Sequence, residues 1–386
     1  MPPAPPTDTH HPSRTARPGA RRPSKWAADP LWSTLRDLLG CLGVIAAGLA
    51  ITTIVTHLTS HFPDPQDPSV THLPPKLVIG TRDSDLALVQ AAHVAGLLEH
   101  AFPQVAVHVT PMRAAGDLRQ GPLAEIGGKA AWVRELDRAL VTARVDVTVS
   151  CAKDLPGPHE RGADTTIGAV LPREDARDAL VLPAGQPAAT LDDLPSGSAL
   201  GTSAPRRIAQ LRTRYPHLTI QPVRGNLIPR LARLDAGEGD KPLDALVVSY
   251  AGLCRVSQAD RATQLIPALE LAPATGAGML VVEQRSGDTI AAHLLDAIND
   301  AATARLLAVE RGVLAQLKGN CQTACSVHAY YTDKPHRIRV DAAVFHPSHG
   351  DAIRVAATGP ADDLGGLVEN ITQLLHGEGV ERFLPR

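Results

Sequence analysis

The feature that most restricts the fold is an alternation of short apolar runs with helical patterns, which begins at residue 76 and occurs twice. The runs KLVIGT, QVAVHVTP and VDVTVS are separated by segments with helical spacing, such as Ala87, Ala91, Val94 and Leu98. After a proline-rich connection, DALVL, SALGTS, LTIQPV and LDALVVS repeat the alternation. Strands that alternate with helices predict parallel sheets covered by helices. We therefore expect two α/β lobes with a cleft between them.

The C-terminal part follows a different pattern. Beyond about residue 290 come long helical segments, and then CSVHAYYT, RIRVDAAVF and AIRVAAT at the spacing of a meander. A closing helical segment ends the chain. This order predicts an α+β domain with a three-stranded sheet.

The first 75 residues differ from the rest. Residues 1–30 are rich in Pro, Ala, His and Arg, a composition that predicts disorder. The stretch from Leu38 to Leu58 has no Asp, Glu, Lys or Arg and the length of one membrane crossing. It also fits a buried helix, an uncleaved export signal or a stretch outside the native product. Basic residues precede it, so the positive-inside rule would place the large domain outside the cytoplasm.

Composition excludes several classes of protein. The 38 Lys and Arg residues balance 40 Asp and Glu residues, which argues against a general nucleic-acid binder. Aromatic residues, at 3%, are too few for base-stacking platforms. The 5 cysteines are widely spaced, which fits a reducing compartment rather than a disulfide framework. Because no CxxC pair occurs, we expect no structural zinc site and assign no metal.

Arginines are concentrated where a ligand would bind. In GTSAPRRIAQL, Ser203 stands at the expected N-cap, and Pro205, Arg206 and Arg207 follow in the first turn. A helix start with two guanidiniums makes an anion site, although paired arginines also occur on solvated helix faces. Four more arginines follow predicted strands, at the edge where open α/β sheets bind ligands: Arg82, Arg224, Arg230 and Arg255. Together they predict a ligand with many carboxylates or phosphates, and the absence of GxxxxGK[ST] and GxGxxG disfavours a nucleotide.

Two further residues carry candidate chemistry. The strand VDVTVS ends before Lys153 and Asp154, and a carboxylate beside a cation can exchange protons or stabilise a cationic intermediate. Asp154 could equally cap the turn before Pro156. In LKGNCQTAC, Cys321 could ligate a metal, form a disulfide, attack a substrate, carry a prosthetic group or fill the core. The residues alone leave both questions open.

Six segments resemble one family closely, in its order and spacing, over residues 76–335. They are KLVIGTRDSDLALVQA, the long GDLRQG…SCAKDLP region, REDARDALVL, LPSGSALGTSAPRRIAQL, VRGNLIPRLARLDAGEGD and LKGNCQTACSVHAYY. The family is hydroxymethylbilane synthase, also called porphobilinogen deaminase. The resemblance implies two lobes built like periplasmic binding proteins around a cleft, and a third domain. We expect the first lobe at 76–170 with 268–290, the second at 171–267, and the C-terminal domain at 291–386.

The resemblance also implies the chemistry. Cys321 would carry dipyrromethane, two linked pyrroles bound through a thioether, which primes a linear tetrapyrrole grown from porphobilinogen with loss of ammonia. Asp154, with Lys153, would be catalytic, protonating the departing amine and stabilising the azafulvene cation. Arginines would bind the acetate and propionate groups. Cofactor-binding roles are implied for Cys321, Arg82, Ser84, Cys151, Lys153, Thr202, Ser203, Arg206, Arg207, Arg224, Gly225 and Asn226. Substrate-binding roles are implied for Arg82, Arg224, Arg230, Arg255 and Trp132.

The chain departs from the family pattern at several positions, none of which removes the catalytic carboxylate, the cysteine or a cleft arginine. Ser150 and Cys151 replace a His-Ser pair, Ala204 and Pro205 replace Ser-Leu, Ala277 replaces glutamine, and Asn320 replaces glycine. We expect an active, monomeric enzyme. A membrane-tethered solute-binding protein for an acidic ligand is the alternative, and an inactive homologue a third, but a binder needs neither Asp154 nor Cys321. Against the charge bias near Leu38, the family's pathway favours a catalytic region in the cytoplasm.

Overall fold

The computed structural model of the chain describes residues 73–113, 130–237, 242–318, 323–346 and 350–384. The apolar stretch at 38–58, Asn320 and Cys321 lie outside these ranges. Among the described residues, no helix combines the length and the apolar character needed to cross a membrane.

The strands and helices fall where the hydrophobic patterns predict them, with a few additions. The strands are β1 (Lys76–Arg82), β2 (Ala106–Met112), β3 (Val147–Cys151), β4 (Thr165–Val170), β5 (Asp178–Val181), β6 (Ala199–Gly201), β7 (Thr219–Gln221), β8 (Ala245–Ser249), β9 (Gln264–Ile266), β10 (Leu280–Arg285), β11 (Cys325–Tyr331), β12 (Arg337–Phe345) and β13 (Ala352–Pro360). The α-helices are α1 (Asp85–Ala101), α2 (Ala130–Val141), α3 (Pro205–Arg214), α4 (Leu227–Ala236), α5 (Tyr250–Arg255), α6 (Thr289–Asp296), α7 (Ala301–Gln316) and α8 (Leu364–Gly377).

The strands form three sheets, which confirms the predicted fold class. The first has the order β2-β1-β3-β10-β4 and the second the order β7-β6-β8-β5-β9. The third, β11-β12-β13, is antiparallel. Helix α1 covers the first sheet with the predicted face, since Ala91, Val94 and Leu98 share a core with Ile79 and Val147.

Both five-stranded sheets contain the predicted parallel strands, but each is mixed, because one antiparallel strand is inserted in it. Four strands in each sheet run in one direction and the fifth runs opposite to them: β10 pairs antiparallel with β3 and β4, and β5 pairs antiparallel with β8 and β9. Each antiparallel strand enters its sheet directly from a segment that comes from the other sheet. The first crossover is 171–177, between β4 and β5, and the second is 267–279, between β9 and β10.

The predicted N-cap at Ser203 was also wrong. Helix α3 has Ala204 at its N-cap and Pro205 in the first turn, and no side chain caps it. The Ser203 hydroxyl instead donates to the backbone carbonyl of Val223. A hydrogen bond to a neighbouring segment has therefore taken the side chain away from the helix start.

Candidate functional site

The Lys153–Asp154 pair lies on a short turn at the carboxyl end of β3. Residues Ala152–Asp154 form one turn of 3-10 helix, in which both Lys153 and Asp154 are partly buried. The turn is backed by Gly276 in the second crossover, which has a φ of 74°. A Cβ at this position would lie 2.9 Å from the Ala152 carbonyl carbon and 3.0 Å from Lys153 N, so glycine is required for the close approach.

The C-terminal domain fixes the position of Gly276. The Glu310 carboxylate on α7 accepts a hydrogen bond from Gly276 N at 2.6 Å and another from Arg173 Nη1 at 2.7 Å. It also accepts one from Ala329 N at 2.9 Å. Glu310 thus connects the third sheet to both crossovers and, through Gly276, to the turn that carries Asp154.

The surroundings of Lys153 and Cys151 are unusual for such side chains. Burial lowers the pKa of Lys153, because a buried ammonium is poorly solvated, and the Asp154 carboxylate opposes this shift. Burial raises the pKa of the Cys151 thiol, and Asp154 adds to the effect. The Gln90 amide, on α1, donates to Cys151 Sγ at 3.2 Å. The thiol is therefore held protonated, as a hydrogen-bonding group beside the turn rather than a nucleophile.

Arg206 and Arg207 share one buried carboxylate. Asp178, at the start of β5, lies 2.8 Å from Arg206 Nη2 and 2.6 Å from Arg207 Nη2. Arg206 also donates to the Ala272 carbonyl at 2.7 Å, and Arg207 to the Val247 carbonyl at 3.1 Å. Two guanidiniums against one carboxylate leave a net positive site, which suits an anionic ligand.

Asp178 should make stability depend on acid pH. Burial alone would raise its pKa, but Arg206 and Arg207 outweigh burial and lower the pKa from 3.8 to about 2. A folded-state pKa below the unfolded value stabilises the protein above pH 3.8, and this contribution, roughly 2 kcal/mol, is lost as the pH falls towards 2. Asp178→Asn should lower the free energy of unfolding at pH 7 by about 3–5 kcal/mol. The difference from wild type should then shrink below about pH 4 in urea unfolding experiments.

A matched control for this prediction is Asp175→Asn, three residues away. Asp175 is more exposed and pairs with Arg177 at 2.6 Å, and such pairs contribute at most about 1 kcal/mol. If both variants lose the same free energy of unfolding, the ion pairs of Asp178 with Arg206 and Arg207 do not stabilise the protein.

Residues from both five-stranded sheets meet at a second point. Arg82, at the end of β1, donates through Nη2 to Asn226 Oδ1 at 3.2 Å, and Arg230 Nε lies 3.4 Å from the Asn226 carbonyl oxygen. Burial, together with repulsion from Arg207, lowers the pKa of Arg230 to about 10, while Asp154 opposes the shift. The Asp154 carboxylate thus interacts electrostatically with Arg230, a residue of α4.

The remaining predicted residues occupy varied places. Ser84 caps α1, where its Oγ accepts from Ala87 N at 3.4 Å. Arg224 is partly buried, and Gly225 is exposed with a φ of 108°. Trp132 lies in α2, and its side chain is outside the described part of the chain. Arg255 contacts Glu174, Gly278 and Cys151. None of these placements tests a binding role, so the roles stay predictions.

Sequence reasoning missed several residues that shape this cleft. Gln90, Asp178, Gly276 and Glu310 lie within patterns that predict only helix, strand or turn. Glu310 carried a usable signal, because it places a carboxylate beside Arg311 between the apolar runs LLAV and VLA, and such charges need partners when buried. Their partners are distant in sequence, so no local pattern could identify them.

Nine buried side-chain atoms of the described residues lack a hydrogen-bond partner. Two of them, Thr202 Oγ1 and Arg206 Nε, belong to the segment that leads into α3 and to its first turn. Native proteins rarely leave such atoms unsatisfied, and a ligand carboxylate could accept from both. The donor set of Thr202, Arg206, Arg207 and Lys153 therefore fits a group that bears several carboxylates.

The described residues that follow Cys321 lie beside this donor set. Ala324 packs in one cluster with Ala272 and Ala209, and Ala209 belongs to α3. Cys325 interacts electrostatically with Arg206. Ala324 and Cys325 thus lie next to α3 and its arginine pair.

Comparisons with known proteins agree with this chemistry. A family model described as "Porphobilinogen deaminase, dipyromethane cofactor binding domain" matches residues 77–293. Porphobilinogen deaminase 2 of Streptomyces coelicolor is 39% identical over 274 residues, which are 71% of this chain and 85% of that protein. The porphobilinogen deaminase of Thiobacillus denitrificans is 37% identical over 309 residues, which are 80% of this chain and 97% of that protein.

Solved structures give a weaker likeness. The alkanesulfonate-binding protein SsuA from Xanthomonas axonopodis pv. citri is 16% identical, and the match covers 82% of this chain and 96% of that chain with a TM-score of 0.37. We draw nothing from a TM-score this low.

Proposed function

Because the chain belongs to the porphobilinogen deaminase family, we propose that the cleft around Asp154 is its active site and that Cys321 carries its cofactor. The enzyme is a transferase, a hydroxymethylbilane synthase, which joins four porphobilinogen molecules head to tail with release of ammonia in tetrapyrrole biosynthesis. Its cofactor is dipyrromethane. Relatives that share more than a third of their residues with this chain are named porphobilinogen deaminase, which favours the enzyme over the solute-binding alternative.

The observation that carries the proposal is the turn with Asp154 at the carboxyl end of β3, whose carboxylate interacts electrostatically with Arg230 where Arg82 and Arg230 both contact Asn226. When bound, dipyrromethane supplies the first acceptor ring for chain growth. Thr202, Arg206, Arg207 and Lys153 would hold its carboxylates, with Ser203, Gly225 and Asn226 near the same strand ends. Arg82, Arg224 and Arg230 would hold the carboxylates of incoming substrate.

Asp154 would act on the reacting carbon and nitrogen of the substrate. Its carboxyl group can give a proton to the departing amine, and the resulting carboxylate can then stabilise the positive charge left on the substrate. Lys153, in the same turn, adds a second titratable group, whose pKa is lowered by burial. A preorganised carboxylate in a partly buried site needs little rearrangement at the moment of reaction.

A direct assay tests the proposed function. A chain that begins at Thr71 keeps every proposed site residue, so we expect it to convert porphobilinogen into hydroxymethylbilane with release of ammonia. Intact mass should exceed the sequence mass by one dipyrromethane group. Purified protein with the cofactor mass but no product formation would indicate an inactive homologue, and absence of both would refute the assignment.

We further place the catalytic region in the cytoplasm as a monomer, with 1–75 either a tether or absent from the native product. Support comes from the odd number and wide spacing of the 5 cysteines, which suit a reducing compartment. The alignment with the Thiobacillus protein spans 97% of that relative and leaves a fifth of this chain unmatched. A reporter active only in the periplasm, fused to the C-terminus of the full chain, should give no signal. A signal would place the catalytic region outside the cytoplasm and contradict this part of the proposal.

A further inference from the structure

The Arg255 guanidinium is held by three parts of the protein at once. Arg255 ends α5, and its side chain is 9% exposed. Nε donates to the Glu174 carboxylate at 2.8 Å, and Nη2 donates to the Gly278 carbonyl oxygen at 2.9 Å. Nη1 lies 3.7 Å from Cys151 Sγ, which is a weak acceptor. Each of the three guanidinium nitrogens thus has a protein partner.

Two of these partners lie on the two segments that connect the five-stranded sheets. Glu174 belongs to the first crossover and Gly278 to the second. The segments touch here, since Glu174 N donates to the Gly278 carbonyl at 3.1 Å. Gly278 has a φ of 80°, and a Cβ there would lie 2.2 Å from the Glu174 carbonyl oxygen. Arg255, carried by the second sheet, therefore binds both crossovers at their point of contact.

The third partner leads to the proposed active site. Cys151 ends β3, directly before the turn that carries Lys153 and Asp154. The same turn is supported by the second crossover, because Ala152 N donates to the Met279 carbonyl at 3.0 Å. A shift of Gly278 would reach this turn through Met279 and Gly276.

We infer that Arg255 is a positioning residue, which locks the two crossovers and so sets the Asp154 turn relative to the second sheet. The inference rests on the proposed function of the cleft and replaces the substrate-binding role that the resemblance implies for Arg255. A substrate carboxylate would have to displace Glu174, which is already a charge-assisted partner. Lysine could not serve, because a single ammonium cannot present the planar fork that reaches three separate acceptors.

Steady-state kinetics with porphobilinogen separate the two roles. In Arg255→Ala and Glu174→Ala we expect kcat to fall by up to about 100-fold with an unchanged KM, since a misplaced catalytic group impairs turnover rather than binding. The double variant should have the same kcat as the slower single variant, because both substitutions remove the same Arg255–Glu174 interaction. A raised KM in Arg255→Ala, with normal kinetics in Glu174→Ala, would make Arg255 a substrate ligand and overturn the inference.

Hydrogen exchange tests the lock without relying on activity. Backbone amides of 171–178 and 273–279 should exchange faster in both variants than in wild type. Arg261→Ala is the matched control, because Arg261 lies in the same lobe and pairs with Asp235 at 2.7 Å. It should change neither exchange in the crossovers nor kcat. Unchanged exchange in Glu174→Ala, whose partly exposed side chain makes misfolding a minor concern, would refute the lock. An inactive wild type would refute the proposed function instead.

Discussion

Cys321→Ser is expected to remove the covalent cofactor and to abolish formation of hydroxymethylbilane. A serine hydroxyl is a far poorer nucleophile than a thiol, so the thioether to dipyrromethane should not form. Intact mass should equal the sequence mass, and the colour reaction of the cofactor with Ehrlich's reagent should be absent. The folded structure should persist, because the Arg206–Arg207–Asp178 cluster does not depend on this side chain.

The second cysteine of the same motif provides the control. Cys325 lies at the start of β11, partly buried against the core of the C-terminal domain. Cys325→Ser should keep the cofactor mass and the activity. If Cys325→Ser loses the cofactor and Cys321→Ser retains it, the attachment site has been assigned to the wrong thiol.

Local patterns were enough to predict most of the architecture. Helix α1 is an example, because Ala91, Val94 and Leu98 recur at helical spacing and Ser84 supplies its cap. The third sheet could also be predicted from local patterns, since three apolar runs at meander spacing pair with their neighbours along the chain. In both cases the interactions that fix the element lie close in sequence.

The features that could not be predicted from local patterns depend on pairing between segments that are distant in the chain. Strand β10 carries Glu283 and Gln284 as fully buried residues, and it joins the first sheet only after the chain has passed through the whole second sheet. No local pattern reveals such an insertion or its antiparallel direction, and only the family resemblance placed residues 268–290 in the first lobe. Ser203 shows the same limit on a smaller scale, because the Val223 carbonyl outcompetes the helix start for its hydroxyl.

The binding roles predicted for the arginines stay predictions, but their surroundings are now known. Arg82 and Arg230 both contact Asn226, and Arg206 and Arg207 both contact Asp178. Nothing in the sequence indicated that Asp178 occupies part of this positive charge, or that Arg255 is engaged by Glu174. The identities of internal partners follow from tertiary contacts across 29 and 81 residues of chain.

The alternative role of Asp154, as a turn cap, can be separated from catalysis. The turn is closed by a backbone hydrogen bond from Leu155 N to the Ala152 carbonyl at 3.3 Å. The carboxylate therefore remains available for charge interactions, and it acts on Lys153, Cys151 and Arg230. A true capping carboxylate looks like Asp193, which accepts from Thr190 N at 2.8 Å and from Thr190 Oγ1 at 2.7 Å.

Asp154→Asn should accordingly bind porphobilinogen but turn it over about 10²–10⁴-fold more slowly. Asparagine keeps the size of the side chain but can neither donate an acidic proton nor carry the negative charge that would stabilise the cationic substrate. Single-turnover measurements should show retained cofactor and substrate binding with slow release of ammonia. Asp193→Asn should affect stability slightly and turnover not at all. If Asp154→Asn behaves like Asp193→Asn, with normal ammonia release, Asp154 is a structural residue and the catalytic acid must be sought elsewhere in the cleft.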